Sequence, residues 1–127
     1  MTVVDASVLV ALVDGSDLHQ QRAHAELSAE TIQVTQATLV EVARVVRRRS
    51  AANGMDGHVQ ARIAVRTIIS HPGFQEAPNI PSAPVLALYE WNRALSWADC
   101  VALVCALSSV ARLATFDAAM SKAWGYG

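Results

Sequence analysis

Apolar positions along this chain fall either into short continuous runs or into longer amphipathic stretches. A short β-branched run, such as 31–35, is typical of a buried strand, whereas apolar residues that recur every three or four positions, as in 38–49, indicate a helix packed on a core. The predicted strands span 2–5, 31–35, a short segment within 75–80, and 112–115. The predicted helices span 7–13, 17–27, 38–49, 57–70, 83–94, 96–109 and 117–124.

Strands and helices alternate through nearly the whole chain. Parallel neighbouring strands need a crossover of a dozen or more residues, which is usually a helix. The pattern therefore predicts an α/β fold of three layers, α/β/α, with a central parallel sheet. Because 127 residues suit one hydrophobic core, we expect a single domain over 1–127.

Composition restricts what this domain can contact. It is 53% hydrophobic and 17% charged, against roughly 25% charged in an ordinary soluble domain, so we expect some apolar surface to meet a partner. The net charge of -1 argues against binding nucleic acid through overall positive charge and leaves only a local patch for that purpose. No apolar run approaches the ~20 residues that cross a bilayer. The start at Val3-Val4-Asp5 lacks a leader, so we expect a cytoplasmic protein.

Four acidic residues lie where predicted strands end and helices begin. Asp5 ends the first strand and Asp117 follows the last one, while Glu41 and Asp99 lie in the first turns of the third and sixth helices. Ligands of open α/β sheets bind beyond the carboxyl ends of the strands, so these carboxylates are expected to converge at one edge. Their mutual repulsion requires protons or a cation, and an all-oxygen ligand set favours Mg²⁺ or Mn²⁺.

Each of these acids also has a simpler interpretation as a helix cap. Thr38-Leu39-Val40-Glu41 and Ser96-Trp97-Ala98-Asp99 both fit a capping box, in which a hydroxyl and an acid three residues later satisfy free amides at a helix start. Asp5 and Asp117 fit the N-cap position of the helices that follow them. Four independent caps would not need four acids at the same sheet edge, so the joint placement favours a metal site.

Four segments carrying these acids resemble the motifs of PIN-domain nucleases. The segments are Val3-Val4-Asp5-Ala6-Ser7-Val8-Leu9-Val10-Ala11-Leu12, Thr38-Leu39-Val40-Glu41-Val42-Ala43, Leu95-Ser96-Trp97-Ala98-Asp99 and Leu113-Ala114-Thr115-Phe116-Asp117. Their order and the size of the chain are similar to those of VapC-type toxins of type II toxin-antitoxin systems. Such relatives continue beyond the position of Trp124-Gly125-Tyr126-Gly127, so we expect their final edge strand to be missing here.

The resemblance implies a metal-dependent endoribonuclease that hydrolyses RNA phosphodiester bonds by metal-activated water. The catalytic pocket would then consist of Asp5, Glu41, Asp99 and Asp117, with the three aspartates as ligands of Mg²⁺ or Mn²⁺. Two hydroxyl side chains, Ser7 and Thr115, would support the carboxylates by hydrogen bonding.

The resemblance also implies partners. These are an RNA substrate, a cognate antitoxin and a second copy of the chain in a homodimer. We expect the antitoxin to contact Val8, Leu9 and Leu12, together with apolar residues of the helical segment 39–46 that the core does not use.

Two arginines follow Glu41 on the same side of the third predicted helix. Arg44 and Arg48 lie three and seven positions beyond it, and from there they would hold the RNA backbone. The alternative is a solvated helix end in which Arg44 pairs with Glu41.

Other side chains with chemical potential are expected to be structural. The four histidines, His19, His24, His58 and His71, lack metal-ligand spacing and are expected at the surface. The three tryptophans, Trp91, Trp97 and Trp124, are expected in the core or an interface rather than as platforms for RNA bases. Cys100 and Cys105 lie in one predicted helix and point in different directions, so we expect two buried thiols and no disulfide.

Three other classes of protein compete with the nuclease interpretation. A receiver-type signalling domain also gathers acids and Mg²⁺ at strand ends, but it needs a lysine near them, and the only lysine is Lys122 in the last helix. A dehalogenase-like phosphatase needs a second aspartate where Ser7 stands. A catalytically inactive PIN-like binding module is the remaining alternative, and the presence of all four acids argues against it.

Overall fold

The computed structural model describes residues 1–15, 17–27 and 31–125. In it, one or two helices follow each strand, as the sequence predicts. Within these residues the strands are β1 (Thr2–Val4), β2 (Ile32–Val34), β3 (Phe74–Glu76) and β4 (Arg112–Ala114). The helices are α1 (Ala6–Val13), α2 (Gln20–Leu27), α3 (Gln36–Ala52), α4 (Gly57–Ile69), α5 (Ser82–Trp91), α6 (Trp97–Ser109) and α7 (Ala118–Trp124).

All four strands form one parallel sheet in the order β3-β2-β1-β4. The central strand β1 pairs with β2 through Thr2 opposite Ile32, and with β4 through Val4 opposite Ala114. Since the strands run in the same direction, their carboxyl ends meet at one edge, and Asp5 lies there. In the described part of the chain no strand follows α7. Tyr126 and Gly127, at the predicted position of the missing strand, lie outside the described residues.

Helices cover both faces of this sheet. Side chains alternate between the two faces of a strand, and β1 shows the alternation directly. Val4 belongs to a buried cluster with Leu9 and Val42 on one face, and Val3 belongs to a second cluster with Met120 on the other. Each fully buried Val or Leu contributes about 1.5–3 kcal/mol to folding. The predicted three-layer α/β/α fold is confirmed.

The first turn of α3 differs from the prediction, and the difference changes the role of Glu41. The N-cap is Thr35, whose hydroxyl oxygen accepts a hydrogen bond from the Thr38 amide at 3.1 Å. The predicted start at Thr38 is wrong because Thr35 supplies the same cap chemistry three residues earlier. Glu41 is therefore the sixth residue of α3 and does not complete a capping box with Thr38.

The strongly apolar helix α6 is buried along much of its length. Seven consecutive residues, Cys100 to Ala106, are buried. Both cysteines are free and buried, as predicted, and burial raises the pKa of each thiol. The Cys105 thiol also donates a hydrogen bond to Gln33 Oε1 at 3.6 Å. No helix in the described ranges is both long and apolar enough to cross a bilayer.

Candidate active site

The elements that follow the strands place the predicted acids near one edge of the sheet. Asp5 comes directly after β1, and Asp117 comes three residues after the end of β4. Glu41 lies in α3, which follows β2, and Asp99 lies in the first turn of α6. The charge of Asp99 acts on both Asp5 and Glu41. These three carboxylates therefore form one electrostatic cluster, which we call the acidic cluster.

Asp5 is the most buried acid of the site, with 2% of its surface exposed. Its Oδ1 accepts hydrogen bonds from the Ser7 hydroxyl at 2.6 Å and from the Val8 amide at 3.3 Å, and its Oδ2 accepts one from the Thr115 hydroxyl. Desolvation by burial raises the pKa of Asp5 from its ordinary value of 3.8. The hydrogen bonds act against this rise, and Asp99 adds to it. Burial thus outweighs three hydrogen bonds that favour the charged form.

One of the two carboxylate oxygens of Glu41 is buried without a hydrogen-bond partner. This oxygen, Oε2, accepts no hydrogen bond from any described residue, although nearly all buried polar atoms in native proteins are satisfied. Desolvation raises the pKa of Glu41 from its ordinary value of 4.5, and the charges of Asp99 and Asp5 raise it further. A hydrogen bond with Ser96 and the charge of Arg44 oppose the rise. Within residues 1–15, 17–27 and 31–125, neither a helix cap nor an ion pair accounts for an acid at this position.

Asp99 and Asp117 both cap helices, as the simpler interpretation predicted. Asp99 completes a capping box with Ser96, whose amide donates to Asp99 Oδ2 at 3.0 Å. Asp117 is exposed, and its Oδ1 accepts from the Met120 amide at 2.9 Å. The Asp117 amide donates to the Thr115 hydroxyl at 3.0 Å. Asp117 is thus joined to Asp5 through Thr115, and its charge is not among the causes that raise the pKa of the buried acids.

The donor set suits a hard divalent cation, although the described residues do not hold a closed site. Among residues 1–15, 17–27 and 31–125, no three His, Cys, Asp or Glu side chains are close enough together to hold a metal as they stand. The unpartnered Glu41 Oε2 and the repulsion between Asp99 and the other two acids are what a cation would relieve. The oxygen ligands present fit Mg²⁺ or Mn²⁺.

The two hydroxyls predicted to support the carboxylates, Ser7 and Thr115, both contact Asp5. A third hydroxyl, that of Ser96, was predicted only as a helix cap. The Ser7 hydroxyl donates to Asp5 and accepts from the Phe116 amide at 2.9 Å. Ser96 accepts from the Asp99 amide at 3.1 Å and also hydrogen-bonds Glu41. The signal for Ser96 was its capping position, which gave no indication that the same hydroxyl reaches an acid on another helix.

The two predicted RNA-binding arginines are exposed on α3. The alternative, an ion pair between Arg44 and Glu41, is not formed among the described residues, although the charge of Arg44 lowers the pKa of Glu41. Arg48 also lies at the surface of α3.

The predicted antitoxin contacts on α1 are partly wrong. Val8 and Leu9 have no exposed surface, because α1 is buried in the first core cluster and does not present an apolar face to solvent. Leu12 is half-buried and lines a cavity of about 820 Å³ between α1 and the α3–α4 pair. Leu18 and Ile63 also line this cavity and are 96% and 53% exposed, so exposed apolar surface does exist nearby.

The histidines lie mostly at the surface, as predicted, and the tryptophans are divided between the core and the surface. His19, His24 and His58 are exposed, and His71 is half-buried with its Nδ1 accepting from the Gly73 amide. Trp124 packs against the second core cluster. Trp91 is 87% exposed and Trp97 is 41% exposed, so neither belongs to the core.

Comparisons with known proteins identify the family and the fold of this chain. Residues 2–124 match the PIN domain family. The fold is similar to that of VapC20 from Mycobacterium tuberculosis, described as a sarcin-ricin loop cleaving toxin, with a TM-score of 0.76, 18% identity, and coverage of 97% of this chain and 95% of that one. It is also similar to PAE2754 from Pyrobaculum aerophilum, with a TM-score of 0.70, 20% identity, and coverage of 95% and 82%. No curated protein matches. Because the family match spans almost the whole chain, the protein belongs to the PIN domain family.

Proposed function

We propose that this protein is a Mg²⁺- or Mn²⁺-dependent endoribonuclease and that it acts as the toxin of a type II toxin-antitoxin pair in the cytoplasm. The observation that carries the proposal is Glu41 Oε2, which is buried in an acidic cluster with Asp5 and Asp99 and has no hydrogen-bond partner among the described residues. Membership of the PIN domain family and a fold similar to that of an RNA-cleaving toxin support it.

Asp5, Asp99 and Asp117 would hold the metal, and Glu41 would complete the pocket. When bound, the ion supplies a water of lowered pKa and offsets charge on the phosphate in the transition state. The protein's contribution is orientation and charge. Ser7 and Thr115 hold the two oxygens of Asp5 in fixed directions, and Ser96 orients Asp99 and Glu41 together.

The RNA backbone would be held beside this pocket by Arg44 and Arg48. Both side chains project from α3 into solvent and are therefore available to phosphates. The charge of Arg44 lowers the pKa of Glu41, and this proximity to the acidic cluster supports a role for Arg44 in holding the scissile phosphate.

The direct test is cleavage of labelled RNA oligonucleotides by the purified chain in Mg²⁺, in Mn²⁺ and in excess chelator. We expect cleavage only with a divalent metal. The Glu41→Gln protein should lose most of the activity, and the matched Glu90→Gln protein, changed at an exposed acid of α5, should retain it. Full cleavage in chelator contradicts metal dependence. Binding of RNA without cleavage in any metal favours the catalytically inactive binding module.

The toxin assignment requires a protein partner and predicts self-association into a homodimer. Exposed apolar side chains around the cavity between α1 and α3–α4, including Leu18 and Ile63, support an antitoxin contact there. Size-exclusion chromatography with light scattering tests the dimer, and co-expression with the neighbouring reading frame tests the antitoxin. A monomer at high concentration that captures no small partner and is harmless to cells contradicts the toxin role while leaving the nuclease role open.

A further inference from the structure

Positive charge is concentrated in α3, α4 and the turn between them. Residues 36–69 contain six of the ten Lys and Arg residues and two of the eleven Asp and Glu residues. The rest of the chain contains four of these cations and nine of these acids. The net charge of -1 therefore conceals a basic unit attached to an acidic remainder.

A groove between α3 and α4 presents part of this charge to solvent. Its cavity of about 320 Å³ is lined by Arg44 and Arg47 from α3 and by His58 and Arg62 from α4, and all four side chains are exposed. The rest of the lining consists of small apolar residues, Ala43, Ala61 and Val65. We call this feature the basic groove.

The arginines of the basic groove differ from their neighbour Arg49. Arg49 is engaged by Asp14 at 3.3 Å and by Asp17 at 3.5 Å. In the described part of the chain no acidic side chain pairs with Arg47 or Arg62, so their charges are available to an external anion. Three separate cations along one groove match the repeated charge of a nucleic acid backbone better than a single small anion.

Gly57 sets the spacing of the basic groove. It is the first residue of α4, and a Cβ atom there would lie 2.5 Å from the Arg47 carbonyl oxygen and 3.0 Å from Arg47 Cγ. Only glycine permits this close approach of the two helices. The separation of Arg47 from Arg62 thus depends on Gly57, a residue that carries no charge.

The basic groove continues from the acidic cluster. Arg44 belongs to the groove and also lowers the pKa of Glu41. Glu41, Arg44 and Arg47 are spaced three residues apart, so each side chain is a neighbour of the next on the surface of α3. At about 1.5 Å per residue, Arg47 lies roughly 9 Å further along the helix axis than Glu41. This is a distance that a short stretch of a nucleic acid strand spans.

We propose that the basic groove binds the sugar-phosphate backbone of a single RNA strand next to the phosphate held at the acidic cluster. The inference rests on the proposed function for the identity of the substrate and adds Arg47, Arg62 and the spacing set by Gly57. The small apolar side chains of the groove allow the strand to approach closely, and the arginines neutralise its phosphates.

The test is the salt dependence of binding to a fluorescein-labelled, mixed-sequence, single-stranded RNA of 20 nucleotides. Fluorescence polarisation in chelator gives the dissociation constant between 50 and 200 mM NaCl, and the series is repeated with Mg²⁺ in the Asp99→Asn background. We expect Arg47→Ala/Arg62→Ala to lower the slope of log affinity against log salt by about 1.4, at about 0.7 per lost phosphate contact. The matched Arg93→Ala/Lys122→Ala protein, with the same change in net charge elsewhere, should keep the wild-type slope.

Gly57→Ala separates groove geometry from charge. It retains every arginine, and we expect it to weaken RNA binding severalfold, with thermal melting used to verify that the protein is folded. A wild-type slope in Arg47→Ala/Arg62→Ala, an equal loss in Arg93→Ala/Lys122→Ala, or no RNA binding by the wild type overturns the proposal. Loss of a co-purifying protein from the groove variant with unchanged RNA binding also overturns it, in favour of an acidic protein ligand.

Because these measurements do not require cleavage, they separate the two proposals. A groove-dependent salt slope without any nuclease activity supports the basic groove and contradicts the nuclease role. Metal-dependent cleavage with an unchanged salt slope supports the nuclease role and contradicts RNA binding by the basic groove.

Discussion

The Thr115 hydroxyl donates a hydrogen bond to Asp5 Oδ2, although the two residues are 110 positions apart in the chain. The contact exists because β1 and β4 are parallel neighbours in the sheet, so that the residues following them lie side by side. The same hydroxyl oxygen accepts from the Asp117 amide at 3.0 Å. Thr115 therefore links two of the four acids of the candidate site.

Changing Thr115→Val should weaken metal binding and RNA cleavage about 10- to 100-fold, the usual effect of losing a hydrogen bond that orients a metal ligand. Measurement of cleavage rate against Mg²⁺ or Mn²⁺ concentration would show a higher metal requirement. The matched control is Thr67→Val, because the Thr67 hydroxyl donates to the Ile63 carbonyl oxygen within its own helix, α4. Equal metal requirements for the wild type and Thr115→Val would exclude an orienting role.

Asp5 should make the stability of the metal-free protein fall as pH rises. Burial raises the pKa of Asp5 above its ordinary value of 3.8, so the folded chain keeps the proton to a higher pH than the unfolded chain does. Between these two pKa values the folded state binds more protons, and the free energy of unfolding decreases with pH. Asp5→Asn removes this group and should be more stable than the wild type near pH 7, with the gain shrinking toward pH 4.

Urea denaturation in chelator between pH 4 and pH 8 measures this difference. A gain that is independent of pH, or a less stable Asp5→Asn protein at pH 7, would show that burial of the charge is not the dominant effect at this position.

Divalent metal should stabilise the folded protein. A ligand that binds only the folded state at 100 times its dissociation constant adds about 2.7 kcal/mol, which corresponds to several degrees in the melting temperature of a domain of this size. Differential scanning calorimetry with and without Mn²⁺ tests this. We expect the shift in the wild type and in Glu90→Gln, and a much smaller one in Glu41→Gln. An equal shift in all three would place the metal elsewhere.

Arg44 and Arg48 should contribute to RNA affinity through phosphate contacts. Changing both to Ala is expected to lower the salt slope by about 1.4 for single-stranded RNA, because fewer counterions are released. Arg93→Ala/Lys122→Ala again controls for net charge. An unchanged slope would leave the two arginines as a solvated helix surface.

The positions of the acids relative to the strands could be predicted from the sequence because strand ends have a strong pattern. Asp5 and Asp117 follow β-branched or apolar runs, and the capping box at Asp99 forms as the spacing predicts. The predicted start of α3 was wrong because Thr35 and Thr38 are equally suitable caps, and the local sequence does not choose between them. The same error gave Glu41 a local explanation that the structure removes.

Features that depend on packing between distant segments could not be predicted from the sequence. The burial of Val8 and Leu9 comes from α1 packing within the first core cluster, which an 8-residue apolar helix does not reveal by itself. The spacing of the basic groove depends on Gly57 meeting the Arg47 carbonyl oxygen, a contact between two helices.

The acids at the sheet edge are proposed to act as metal ligands in addition to capping helices, and a comparison of two cap variants distinguishes these roles. Asp5 and Asp56 are both N-caps, whose side chains accept hydrogen bonds from the Val8 and Val59 amides. Asparagine caps a helix as well as aspartate does. We predict that Asp5→Asn folds but loses metal-dependent RNA cleavage, while Asp56→Asn cleaves like the wild type. Wild-type cleavage by a folded Asp5→Asn protein would contradict the account.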